Sequence, residues 1–136
     1  MILNEQTTYQ PYLYGKLFAI LEAIQLRAKP GYNATINHFS MAGTRPRSIF
    51  PRLLILNEEM YMKMLDRDVR AYYDKLLCEL IGKITEFFPE HLSLQDKGTF
   101  QLGYFHQKQI LEKDVPEKAD KTAQNSNENE DTKDDV

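Results

Sequence analysis

The chain has 136 residues, 42% of them hydrophobic, with 8 Tyr, 7 Phe and no Trp. That length and aromatic volume make one domain with a single core and leave no room for a second. The net charge of −3 is uneven: residues 114–136 hold 8 Asp and Glu against 3 Lys, the remainder 12 against 14 Lys and Arg, so the folded part is mildly basic and the acidity belongs to the tail.

In chain order, the pattern predicts an all-α fold, a single bundle of about five helices without strands. The first helix runs from Pro11 to Ala28, because Pro suits a first turn and Leu13, Leu17, Ile20, Leu21 and Ile24 recur at three- and four-residue steps. Lys29-Pro30-Gly31 stops it. A short second helix, Thr35 to Met41, is pinned to the core by Ile36 and Phe39, and Gly43 to Pro46 form a loop. The third spans Arg47 to Leu65, with Pro51 in its first turn if it begins near Ile49. The fourth carries Val69, Tyr72, Tyr73, Leu76, Leu77, Leu80, Ile81, Ile84 and Phe88 on one stripe, is capped by Asp66 or Asp68, and ends at Pro89.

The fifth helix starts at Ser93 as N-cap, with Gln95 and Asp96 in its first turn. Leu94, Leu102, Phe105 and Gln109 share one face. Gly98 and Gly103 each lower helix propensity by about 1 kcal/mol against Ala, which points to close helix approach. The bundle is expected to occupy residues 1–112. From 113 to 136 apolar residues nearly vanish, and a disordered acidic tail is expected.

Catalytic motifs are missing. There is no Gly-rich phosphate loop, nucleophile elbow or His-Glu-x-x-His string. His38, His91 and His106 lie far apart, and with Cys78 as the one cysteine no zinc spacing exists, so neither a metal nor a cofactor is expected. Glu58, Glu59, Asp66 and Asp68 read as a wet helix face and a cap rather than a magnesium site. Met60, Met62 and Met64 read as core filler that could also give an adaptable contact surface. His106 or Gln107 reads as a helix–helix hydrogen bond. The single cysteine, an apolar run no longer than Leu17 to Leu21, and polar residues directly after Leu3 lead to the expectation of a cytoplasmic protein without leader or membrane span.

The informative window lies between Glu22 and Glu58, where no Asp or Glu occurs but Arg27, Lys29, Arg45, Arg47 and Arg52 do. Arg45 and Arg47 flank Pro46 at a helix start, where unpaired N–H groups and the positive dipole end favour phosphate. Arginine adds a planar fork of donors, and Thr44 and Ser48 add hydroxyls. Such groups grip a sugar–phosphate backbone without reading bases. A solvated basic loop, or a docking face for an acidic protein, would show the same composition.

Three strings carry a family resemblance: PYLYGKLFAILEAIQ (11–25), TRPRSIFPRLL (44–54) and FPEHLSLQDKGTFQLGYFHQKQ (88–109). Together they resemble the C-terminal helical domain of the large-subunit (Csd1-type) family of subtype I-C CRISPR effector complexes, a domain similar to a stand-alone small subunit. The resemblance implies a non-catalytic small subunit that grips nucleic-acid backbone and stabilises the R-loop. Its implied partners are the effector backbone and large subunits, other copies of itself, guide RNA and target DNA, with no membrane. Arg45, Arg47 and Arg52 are the first candidates for nucleic-acid contact; Lys16, Arg27 and Lys29 follow. The alternative is a helical protein-interaction module that binds no nucleic acid.

Overall fold

Helix α1 (Gln10–Ala28) is the axis around which the other elements pack, and nearly every residue from Pro11 to Gln25 is buried. The computed structural model describes residues 8–114. The α1 stripe of Leu13, Leu17, Ile20, Leu21 and Ile24 is in the core, but so are Tyr12, Tyr14, Phe18 and Ala19. A helix apolar all round is a buried helix, not a surface one.

After α1, a single 3-10 turn (Ile36–His38) leads into α2 (Phe39–Thr44), and α3 (Pro46–Leu56) follows at once. Ile36 and Phe39 pack against the core as expected. The third helix is one rod wound three ways: α3, then a wide π turn at Asn57–Tyr61, then a 3-10 turn at Met62–Met64. Because α3 begins at Pro46, Pro51 lies inside it rather than in its first turn. Met62 is partly buried, whereas Met60 and Met64 are exposed and fill no core.

Helix α4 (Arg67–Ile81) ends eight residues before Pro89, short of where the periodicity placed its end. Asp66 stands at its N-cap position, though its carboxylate makes no capping bond. Beyond Gly82 the chain turns back, and Phe88 stacks on Phe50 at 4.9 Å and packs on Tyr14 at 5.2 Å. Thr85 N–H donates to Gln10 Oε1, and Leu92 N–H to the Thr44 carbonyl. Tertiary bonds thus replace the helical ones that the periodicity of Ile84 and Phe88 suggested.

Helix α5 (Leu94–Asp114) crosses α1. Ser93 caps it, its Oγ accepting from Asp96 N–H at 3.1 Å. The crossing is set by two glycines: a Cβ on Gly103 would strike the Tyr12 carbonyl oxygen, and one on Gly15 the Phe100 carbonyl oxygen. Gly98, by contrast, faces open space. The buried face of α5 is Phe100, Gly103, Tyr104, Gln107 and Leu111. The face shared by Leu94, Leu102 and Phe105 is outside; Leu94 is 85% exposed.

Phe18 sits at the core centre, in edge contact with Phe39, Phe50, Phe100 and Tyr104. Among the described residues the fold is all-α, with five α-helices and no strand. Helix α5 reaches Asp114, and the expected disordered tail otherwise lies outside the described residues.

Candidate nucleic-acid interface

The acid-free window folds into the loop after α1, helix α2 and helix α3. Arg45 bridges α2 and α3, and Pro46 opens α3 at the position where a missing N–H is harmless. The next two donors are occupied. Arg47 N–H donates to the Pro89 carbonyl at 3.1 Å, and Ser48 N–H to the Arg45 carbonyl at 3.0 Å. The returning segment therefore takes one of the N–H groups that the sequence offered to phosphate, and a local turn takes the next.

Arg47 itself holds that segment. Its Nε donates to the Phe88 carbonyl at 2.8 Å, its guanidinium lies 5.0 Å from the centre of the Phe87 ring, and it pairs with Glu90 at 3.7 Å. Thr44 Oγ1 is engaged locally, donating to the Ser40 carbonyl one turn back along α2 at 2.9 Å.

Arg45 and Arg52 are exposed, and among the described residues neither joins an ion pair. Arg45 stands at the N-cap of α3 and Arg52 seven residues further on within it, with exposed Ser48 between them in sequence. Exposed guanidiniums can meet phosphates of a strand as bidentate donors.

The second rank of cations divides. Lys29 is exposed at the end of α1, its Nζ 5.2 Å from the centre of the Tyr32 ring. The loop carrying both is tied down by Gln25, a fully buried amide that donates to the Tyr32 carbonyl and accepts from Thr35 N–H. Sequence reasoning missed Gln25 because a polar residue on an apolar stripe has no distinguishing pattern. Arg27 is half-buried and engaged within the fold. Lys16 is only 7% exposed, with Nζ 5.8 Å from the centre of the Tyr12 ring, so it is no surface cation. A long apolar stem allows a lysine this burial on a central helix.

In the Tyr104-Phe105-His106-Gln107 string, Tyr104, His106 and Gln107 serve the interior, while Phe105 is exposed. Tyr12 OH and His106 Nδ1 form a 2.5 Å hydrogen bond between α1 and α5. Tyr104 OH donates to Glu22 Oε1 at 2.6 Å and accepts from Lys108 Nζ at 3.3 Å. Burial first, and then the bond to the Glu22 carboxylate, hold the Tyr104 hydroxyl pKa far above the ordinary tyrosine range. Glu22 is thereby a buried carboxylate with a fixed donor. Among the described residues no three His, Cys, Asp or Glu side chains come together to hold a metal ion, and no helix is long and apolar enough to cross a membrane.

The fold and its surface define a small all-α bundle with an arginine pair exposed on an acid-free segment. The family model described as CRISPR-associated protein (Cas_Csd1) matches residues 1–111, and the chain belongs to that family. Its role is therefore in a CRISPR system. No curated protein matches the chain.

Proposed function

We infer that the chain is a non-catalytic small subunit of a subtype I-C RNA-guided surveillance complex, working in the cytoplasm. In such a complex, pairing between guide and target supplies sequence specificity. The exchange of one duplex for another is nearly balanced, so protein contacts to the backbone tip it. A helical bundle with two exposed arginines that join no ion pair among the described residues suits that role, because it adds affinity for phosphate and asks nothing of the base sequence. The observation that carries the reading is that Arg45, at the start of α3, and Arg52, within it, are both exposed, in a stretch from 23 to 57 that has no Asp or Glu.

In this reading, residues 1–112 form the binding unit, and the acidic residues from 113 onward oppose promiscuous contact by its basic face. Lys29 extends the contact. Arg47 supports it from within, by fixing the segment against which α3 begins. The partners are the effector backbone and large subunits, further copies of the chain, and the guide RNA and target DNA.

The test is the native mass of the subtype I-C ribonucleoprotein assembled with and without the chain. Uptake of one or more 15.9 kDa copies is expected. Arg45→Glu with Arg52→Glu is expected to leave the chain folded and weaken retention of target DNA. The dependence of log affinity on log salt then becomes shallower by about 1.4, two single-strand phosphate contacts. A complex that assembles fully and never takes up the chain would overturn the reading.

A further inference from the structure

A pocket of about 620 Å³ opens where the start of α1, the segment returning from α4 and the first turn of α5 come together. Gln10 braces this corner: its Nε2 donates to the Thr8 and Lys83 carbonyls, and its Oε1 accepts from Thr85 N–H. The walls are thus fixed by bonds within the fold. Two polar groups there are left over. Tyr14 is 1% exposed, its ring packed on Phe50 and Phe88, and its hydroxyl has no hydrogen bond among the described residues. The Tyr72 hydroxyl is also unpaired but is sealed inside, whereas Tyr14 lines the pocket. Asp96 accepts from the Tyr9 hydroxyl on Oδ1 at 2.6 Å, which leaves Oδ2 without a bond among the described residues.

The lining is negative. Glu86 and Asp96 bring carboxylates to it, and no Lys or Arg lines it. The Glu86 carboxylate joins no hydrogen bond or ion pair among the described residues. Burial first, and then the Glu86 charge, push the Tyr14 hydroxyl pKa up, so it keeps its proton. Phosphate is repelled by such a lining, and a cation is drawn to it. Among the described residues no three ligating side chains converge, so a bare metal ion lacks its ligands. A guanidinium fits better than an ammonium. It is planar and weakly hydrated, it stacks on flat faces such as those of Tyr9, Pro11 and Pro89, and its fork of donors can serve Glu86, Asp96 Oδ2 and the Tyr14 oxygen together.

We propose that this pocket seats an arginine side chain presented by a partner protein. The guanidinium bridges Glu86 and Asp96 with the Tyr14 hydroxyl at its inner end, and the remaining volume takes the residues on either side of the arginine. The chain's own residues 1–7, next to the pocket in sequence, contain no Lys or Arg and cannot supply the group. The seat adjoins the start of α3, because Pro89, whose carbonyl accepts from Arg47 N–H, is one of its walls. Acidic seat and basic helix start thus share one end of the molecule, and a protein held in the first stands beside whatever the second binds. The inference goes beyond the small-subunit reading: it names a contact with protein and needs no nucleic acid.

The experiment is titration of the isotope-labelled full chain with the blocked tripeptide acetyl-Gly-Arg-Gly-amide, followed by amide NMR. Saturable shifts are expected at Tyr9, Gln10, Glu86, His91 and Asp96, with a Kd of about 1 mM, the strength of a single anchor taken out of its interface. The citrulline analogue, neutral and of the same shape, is expected to bind about tenfold more weakly, and the lysine analogue several-fold more weakly. Glu86→Gln, at an exposed position, is expected to weaken the arginine peptide about tenfold. Tyr14→Phe removes the hydroxyl, keeps the packed ring and is expected to weaken it several-fold. Should Tyr14→Phe disturb the fold, Glu86→Gln carries the test. An arginine peptide that causes no saturable shift would overturn the proposal, as would a citrulline peptide that binds equally or a Glu86→Gln variant with unchanged affinity. Spermidine that moves the same signals with equal affinity would overturn it too, leaving an adventitious cation site only. Uptake of the chain into the ribonucleoprotein is a separate measurement, so the small-subunit reading stands or falls on its own.

Discussion

Tyr104 and Glu22, 82 residues apart in sequence, meet in the core at 2.6 Å. The bond joins α5 to α1 across the most extensive helix contact in the bundle. It also lets α1 bury a carboxylate, since a charge is tolerated inside only when paired and hydrogen-bonded.

That pair makes stability depend on alkaline pH. Tyr104 keeps its proton in the folded state well above the ordinary value of 10.0, first through burial and then through Glu22. Below pH 10 the hydroxyl is protonated in both states and the full stability is present. Above it the unfolded chain ionises first and holds fewer protons, so stability falls by about 1.4 kcal/mol per pH unit per such tyrosine. Tyr14, Tyr61 and Tyr72 are raised by burial as well and add to the slope. Urea unfolding of Tyr104→Phe is expected to show about 2 kcal/mol less stability at pH 7, where Glu22 loses its donor. It should also show a shallower fall above pH 10; an unchanged slope would count against the assignment.

The glycines separate close approach from mere flexibility. Gly103→Ala places a methyl on the Tyr12 carbonyl, and backbone must move, so a loss of about 2–4 kcal/mol is expected in denaturant unfolding. Gly98→Ala meets no atom and gains helix propensity, about 0.5–1 kcal/mol of stability in the monomer. Similar effects at both positions would contradict the crossing.

Arginines of one short segment are expected to behave differently. Arg47→Ala removes the bond to Phe88 and the ion pair to Glu90, and about 1 kcal/mol of stability with them. Arg52→Ala removes no hydrogen bond or ion pair among the described residues and is expected to change stability little, by under about 0.5 kcal/mol. Its effect is expected in DNA retention instead.

The Ser93 cap gives a simple control. Ser93→Ala leaves Asp96 N–H unpaired and is expected to lose about 1 kcal/mol, which Ser93→Asp largely restores. Amide hydrogen exchange at the start of α5 would report it directly.

Much of this was legible in the linear chain. The all-α class, the extent of α1, the Ser93 cap, a helix–helix bond through His106 and close approach at Gly103 follow from local rules. Period, capping chemistry and the missing Cβ of glycine act over a few residues and need no distant partner. The acid-free window with exposed Arg45 and Arg52 is likewise a matter of composition.

Other features depended on contacts far apart in sequence. Helix α5 carries apolar residues on two opposite sides, so periodicity could not choose its inner face; the crossing of Gly15 and Gly103 chose it and left Leu94, Leu102 and Phe105 outside. Phe88 continues the stripe of α4 on paper, yet stacking on Phe50 and the bonds of Arg47 pull it into a return loop. That same loop occupies the Arg47 N–H, one of the α3 donors that looked free for phosphate. Lys16 reads as one more cation until α1 proves buried on all sides. Where helices form and where positive charge gathers is written in neighbouring residues along the chain. Which side of each helix meets water is not, because distant surfaces compete for one core and the packed fold alone resolves that competition.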